Sequence, residues 1–181
     1  MLSFLIFASC NQEQIFEKTI FISDSNFKGE VRVEKVHKLN KYKISIHNSL
    51  TGGKDIIYTP YQVFELEQGD INGDDKTDFC IGIIKPTPFD KTYRKRLFIF
   101  QIDQDYIRPL WLSSRLANTL EAFVVIKENK LDVIRTIEIK KENEYCIHQY
   151  KWGSFGMVYQ REIGEGLSLT QAKKIIKYNE R

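Results

Sequence analysis

The chain has 181 residues, a length that suits one domain with its own hydrophobic core. Its 27 basic and 24 acidic residues give a net charge of +3, and this balance excludes the strongly basic surface of a nucleic-acid-binding protein. Hydrophobic residues at 42% and charged residues at 28% exclude wholesale disorder and several membrane-spanning helices. The aromatic content of 13% favours β structure.

The N-terminus, MLSFLIFAS, carries no charged side chain and ends in small residues just before Cys10. A bilayer span takes about 20 residues, so we predict that residues 1–9 are a signal peptide that is removed. The segment Phe7-Ala8-Ser9-Cys10 resembles the lipobox of bacterial lipoproteins. That resemblance implies acylation of Cys10, a tether over residues 10–14, and membrane attachment in the cell envelope, on its periplasmic or surface side. The alternative is an apolar N-terminus on a cytosolic protein.

Residues 15–163 are predicted to form one β domain, because runs of alternating apolar and polar residues are separated by turn residues. The predicted strands cover residues 15–22, 30–36, 42–46, 56–58, 63–66, 79–84, 97–102, 106–112, 123–126, 131–139, 145–150 and 155–161. Gly52 and Gly53 permit a tight hairpin loop between the third and fourth strands. The last turn is placed at Trp152-Gly153-Ser154.

A C-terminal helix that packs on the β domain is predicted over residues 164–181. Ser168 and Gln171 match a capping box, and lysines favour the C-terminal half of the helix. One apolar stripe faces the domain and consists of Leu169, Ala172, Ile175 and Ile176.

A weak internal repeat indicates how the strands are grouped. Hairpins that begin near Tyr42, Leu97 and Tyr145 recur roughly every 50 residues, the length of a four-stranded meander. We therefore predict a mainly β fold of antiparallel meander sheets, propeller-like with few blades, and one C-terminal helix. The N-terminal strands could complete the last unit, and a single curved sheet or a sandwich is the alternative.

The segment Gly69-Asp70-Ile71-Asn72-Gly73-Asp74-Asp75-Lys76-Thr77-Asp78 carries oxygen-bearing side chains at alternate positions. Calcium prefers six to eight oxygen ligands in a flexible geometry, and three clustered carboxylates repel one another without a cation. The segment therefore predicts a structural calcium site; the alternative is a metal-free Asx turn. The predicted ligands are the side chains of Asp70, Asn72, Asp74 and Asp78 and the backbone carbonyl of Lys76. Ile81 stands where an EF-hand requires glutamate, which excludes that motif.

The same segment resembles the D-x-N-G-D-x-x-x-D calcium loop of FG-GAP and VCBS repeats. The resemblance implies the same five ligands. Asp75 stands where that family usually has Gly; because Asp tolerates left-handed geometry better than most residues, we expect this difference to lower the calcium affinity and not to abolish binding. Residues 79–115 are also similar to small lipoproteins of the Bacteroidota that carry one such loop, which implies export and a β fold without specifying an activity.

Each of the other candidate sites also has a purely structural interpretation. Tyr93, Arg94, Lys95 and Arg96 form a basic cluster that could bind an anionic glycan or phospholipid headgroup, or could be a solvated sheet edge. Trp111 and Trp152 could form a sugar platform but are expected to be core residues. Cys80 and Cys146 are also expected in the core, with a disulfide between them as the alternative.

Several catalytic chemistries find no support in the sequence. His37, His47 and His148 are isolated from any HExxH pattern and are expected on the surface or in strands, and no G-x-S-x-G elbow is present. The sequence therefore favours a non-enzymatic, lipid-anchored, calcium-stabilised β scaffold that binds an envelope protein or a glycan and no nucleic acid. The alternative is an envelope or polysaccharide hydrolase whose active site the sequence does not identify.

Overall fold

The strands predicted from alternating apolar and polar residues are present, and within each sheet consecutive strands pair antiparallel. The computed structural model describes residues 15–112, 116–128 and 131–177. Within these ranges the chain forms three four-stranded antiparallel sheets, each a meander in chain order, followed by one helix. The predicted fold class is confirmed.

The strands divide evenly among the three sheets. The first sheet contains β1 (Lys18–Ser23), β2 (Lys28–Val36), β3 (Lys41–Asn48) and β4 (Lys54–Thr59). The second contains β5 (Gln62–Gly69), β6 (Asp78–Lys85), β7 (Arg94–Asp103) and β8 (Tyr106–Trp111). The third contains β9 (Thr119–Ile126), β10 (Val133–Lys141), β11 (Glu144–Gly153) and β12 (Gly156–Leu167). A 3-10 turn, His37–Leu39, precedes β3, and helix α1 (Leu169–Ile175) follows β12.

The second sheet lies between the other two and is buried on both faces. Phe79 belongs to the core shared with Val31 of the first sheet, whereas its neighbour Cys80 belongs to the core shared with Phe123 of the third. Successive strand residues point to opposite faces, which explains why β6 is a continuous apolar run. The first strands of the sheets contact one another in turn, β1 with β5 and β5 with β9, as in adjacent propeller blades.

Helix α1 covers the remaining face of the third sheet. Ala172 and Ile176 are buried against Ile147 of β11. Ser168 and Gln171 form the predicted capping box. The helical stripe and its cap are thus confirmed, and they close the third hydrophobic core.

Three predicted boundaries or groupings need correction. Residues 164–167, predicted as helix, continue β12, because Gly164 and Leu167 pair with β11 across register shifts. The last turn falls at Ser154-Phe155, since Trp152 and Gly153 pair with β12. The N-terminal strands complete the first sheet and not the last, because β2 pairs with β3.

Some predictions concern residues outside the described ranges. These are the signal peptide over residues 1–9, the lipidated Cys10, the tether over residues 10–14 and the helix end over residues 178–181. No helix in the described part of the chain is long and apolar enough to cross a membrane.

Candidate calcium loop, binding pocket and buried polar network

The acidic loop, residues 70–78, connects β5 to β6 and is wound around the carboxylate of Asp70. Asp70 Oδ1 accepts hydrogen bonds from the amides of Gly73 (2.8 Å) and Asp74 (3.1 Å), and its Oδ2 accepts one from Asp75 (3.0 Å). Gly73 and Asp75 have positive φ angles of 77° and 61°. Asp75 therefore adopts the left-handed conformation that aspartate tolerates better than most residues.

Asp78 ends the loop as a buried carboxylate that is 1% exposed. Burial raises the pKa of Asp78 to about 7, and the negative charges of Asp74 and Asp70 add to this, although the Ile71 and Asn72 amides oppose it. The Ile71 amide donates to Asp78 Oδ2 at 3.1 Å. A cation in this loop would offset both the desolvation and the repulsion.

Two aspartates outside the loop fasten it to the first and third sheets. The Asp132 carboxylate, just before β10, accepts the Asp70 amide at 3.0 Å, and the Asp132 amide donates to the Asp70 carbonyl at 2.7 Å. Asp24, in the turn after β1, accepts the Thr77 amide at 2.9 Å. The acidic loop therefore lies where all three sheets meet.

The fastening by Asp24 predicts a pH-dependent contribution to stability. Burial opposes its charge, but hydrogen bonds from the Thr77, Asn26 and Phe27 amides outweigh burial and hold the pKa of Asp24 below its ordinary value of 3.8. A lowered carboxylate pKa contributes stability above the unfolded-state value, which is lost as the pH falls through the folded-state value. We expect Asp24→Ala to destabilise the chain by about 1 kcal/mol at neutral pH, a hydrogen-bond value reduced for solvent screening.

Urea unfolding of wild type and Asp24→Ala at neutral pH and at about pH 3 checks this prediction. The difference between their free energies of unfolding should become smaller in acid. Ser25→Ala, in the same turn, is the control. A larger difference in free energy of unfolding at low pH than at neutral pH would contradict the assigned role of Asp24.

A cavity of about 660 Å³ lies between the β6–β7 connection and the segment leading into β9. Its wall includes Thr87, Phe89 and Asp90 on one side and residues 116–120 on the other. The basic residues Arg94, Lys95 and Arg96 at the start of β7 also line it.

Ion pairs hold these basic side chains in place. Asp90 Oδ2 lies 3.0 Å from Arg94 Nε and 3.2 Å from Arg96 Nη2, while Lys95 Nζ lies 2.6 Å from Glu121. Arg94 also donates to Thr119 across the cavity at 2.9 Å. Three of the four predicted patch residues therefore come together, whereas Tyr93 packs edge-on against Tyr61.

The other candidate residues from the sequence are two tryptophans, two cysteines and three histidines. Trp111 and Trp152 are partly buried against the core between the second and third sheets. Cys80 and Cys146 are buried free thiols, so the expectation of core cysteines is confirmed. His37 and His47 are exposed, whereas His148 is buried.

Glu138 is the centre of a buried network that the sequence interpretation missed. It is 0% exposed, yet its carboxylate accepts the Asn118 amide (2.6 Å), the Thr136 hydroxyl (2.7 Å) and the Tyr150 hydroxyl (2.8 Å), and lies 3.2 Å from His148 Nδ1. A buried charge is tolerated when hydrogen bonds saturate it in this way. The sequence signal is the position of Glu138 between Ile137 and Ile139 in β10, a strand that also contains the buried Arg135.

Comparison with known proteins does not place the chain in a family. No protein-family model matches it, and no curated protein matches it either. Its function has to be inferred from its residues and their geometry.

Proposed function

We propose that this chain is a non-enzymatic, lipid-anchored scaffold of the bacterial cell envelope, stabilised by calcium, whose pocket binds an acidic glycan. The single observation that carries the proposal is the position of the acidic loop, which hydrogen bonds tie to the first and third sheets while it connects two strands of the second. In this proposal the anchor is Cys10, which becomes the N-terminal residue after removal of residues 1–9. The resemblance of residues 70–78 to the FG-GAP or VCBS loop, and of residues 7–10 to a lipobox, supports the same assignment.

The donor set of the loop suits a hard cation. Asp70, Asn72, Asp74 and Asp78 supply oxygen atoms, and the backbone carbonyl of Lys76 adds another. The three carboxylates do not lie within 4.8 Å of one another, so the ion has to draw them inward from their amide partners. In this proposal calcium is structural, because an ion held there stiffens the junction of all three sheets.

The pocket has features that suit a carboxylated sugar. Its volume of about 660 Å³ falls within the range of small-molecule sites, roughly 300–1,000 Å³. Arg94 offers a planar guanidinium that matches a carboxylate, and Asn118 and Thr119 add polar groups. Phe89 is fully exposed at the rim, where an aromatic ring can pack on a sugar face.

The acidic groups of the pocket support binding in preference to hydrolysis. Asp90 is the one carboxylate residue among the described lining residues, and two arginines hold it. Glycoside hydrolysis generally uses a pair of carboxyl groups about 5–10 Å apart.

The test of glycan binding is calorimetric titration with a uronic-acid oligosaccharide. We expect Arg94→Ala to weaken binding by roughly 10- to 100-fold, the usual value of a hydrogen bond to a charged group. Arg108→Ala is the matched control, because Arg108 lies on β8 and packs over Tyr106 outside the pocket.

Three further outcomes decide the partner class. A neutral oligosaccharide of the same length should bind weakly or not at all. Binding of anionic phospholipid vesicles with the same Arg94 dependence would replace the glycan by a lipid headgroup. Equal affinities of wild type and Arg94→Ala for the acidic oligosaccharide would overturn the assignment of this pocket.

A further inference from the structure

A second cluster of metal-binding side chains lies on the third sheet, away from the acidic loop. One ligand atom each from Cys146, His148 and Glu162 lies within 4.8 Å of the other two, the one such group of three among the described His, Cys, Asp and Glu residues. Cys146 and His148 occupy alternate positions of β11 and share a face, and Glu162 of β12 is the register partner of His148. The strand pairing therefore builds this cluster.

The imidazole of His148 lies between two carboxylates. Its Nδ1 is 3.2 Å from Glu138 Oε2, and its Nε2 is 3.3 Å from Glu162 Oε2. A neutral imidazole has one donor and one acceptor nitrogen, so only one of these contacts can be a hydrogen bond. In the tautomer that carries its proton on Nδ1, His148 donates a hydrogen bond to the buried Glu138, and its Nε2 lone pair then faces another acceptor. The second contact requires a proton or a metal cation between the two atoms.

We propose that Cys146 Sγ, His148 Nε2 and Glu162 Oε2 form a zinc site. A thiol, an imidazole and a carboxylate suit a borderline-soft transition ion and not calcium. Zn–N and Zn–O bonds of about 2.1 Å at a tetrahedral angle would place His148 Nε2 and Glu162 Oε2 about 3.4 Å apart. The observed distance between these two atoms is 3.3 Å. Water completes the fourth position.

The surroundings of the cluster match those of metal sites. A zinc-binding histidine usually donates its other ring N–H to a carboxylate, and Glu138 provides that acceptor for His148. The side-chain Nδ2 of Asn118 lies 3.7 Å from Cys146 Sγ and can donate to a bound thiolate, while its backbone amide donates to Glu138. The Glu162 side chain is 35% exposed, whereas that of His148 is 7% exposed, so the ion enters from the Glu162 side.

Metal binding at this cluster releases a proton. The Cys146 thiol loses its proton to solvent as the S–Zn bond forms, and no electron is transferred. The bound ion then links β11, through Cys146 and His148, to β12, through Glu162. This site does not depend on the proposed calcium or glycan binding.

The test is titration of chelator-treated, metal-free chain with Zn²⁺, and with Co²⁺ as a spectroscopic substitute. We expect one Zn²⁺ per chain, proton release detected as a buffer-dependent binding enthalpy, and a sulfur-to-cobalt charge-transfer band. Cys146→Ser should remove the band and weaken zinc binding by at least roughly 100-fold, whereas Cys80→Ser, which alters the other buried thiol, should change neither.

A variant of a partly exposed ligand keeps the test valid if Cys146→Ser fails to fold. Glu162→Gln should weaken zinc binding by roughly 10- to 100-fold, and Glu165→Gln, three residues along β12, should not. Excess calcium should leave zinc binding unchanged. Absence of zinc binding, or equal affinities of wild type, Cys146→Ser and Glu162→Gln, would overturn the proposal.

Discussion

Glu138→Ala is expected to lower the free energy of unfolding by about 3–5 kcal/mol, the usual cost of breaking a buried charged network. The substitution leaves the Asn118 amide and the hydroxyls of Thr136 and Tyr150 without their buried acceptor. It also opens space beside Leu120, which pairs with Glu138 across β9 and β10.

Urea unfolding in the presence of chelator measures this effect without a contribution from bound metal. Glu142→Ala, in the exposed turn between β10 and β11, is the control and should change stability by less than about 0.5 kcal/mol. Equal stabilities of Glu138→Ala and wild type would contradict the assignment of Glu138 as the charged centre of this network.

Asp74→Ala is expected to abolish stabilisation by calcium. With an affinity of about 10⁻⁴ to 10⁻³ M, typical of extracellular modules, a calcium concentration of about 10 mM is expected to stabilise the wild type by about 1.4–2.7 kcal/mol. Asp74 is exposed, so its removal should change the calcium-free stability much less. Differential scanning calorimetry with and without calcium measures both quantities.

Asp75→Asn is the matched control for charge. It removes one negative charge from the same loop and keeps a residue that tolerates the positive φ of this position. Asp75 is not among the proposed ligands, so most of the calcium-dependent stabilisation should remain. If Asp75→Asn and Asp74→Ala lost the effect equally, diffuse negative charge would explain it better than a defined site.

Local patterns were sufficient to predict most elements of the fold. Alternating residues in β3 bury Tyr42, Ile44 and Ile46 on one face, as their spacing predicts. The interval at residues 103–105, left between two predicted strands, contains a tight turn at Gln104 and Asp105, both at positive φ, whereas Asp103 still pairs with Tyr106. These features depend on neighbours in sequence, and one sequence contains that information.

The functional geometry depended on residues that are distant in sequence. Asp24 and Thr77 are 53 positions apart, Asp70 and Asp132 are 62 apart, and Arg94 reaches Thr119 over 25. Sheet packing creates these contacts, and no short motif specifies them. The sequence therefore indicated the acidic loop and the basic cluster but not the fastening aspartates or the pocket wall.

Thermal unfolding of chelator-treated chain, before and after calcium alone is restored, tests the central claim that calcium stabilises the junction of the three sheets. A rise in Tm of roughly 3–11 °C is expected for wild type, since each kcal/mol shifts the Tm of a chain this size by about 2–4 °C. The same concentration of Mg²⁺ should give a smaller rise. Identical Tm values in calcium and in chelator would contradict the calcium site and leave the Asp70–Asp78 segment as a metal-free acidic turn.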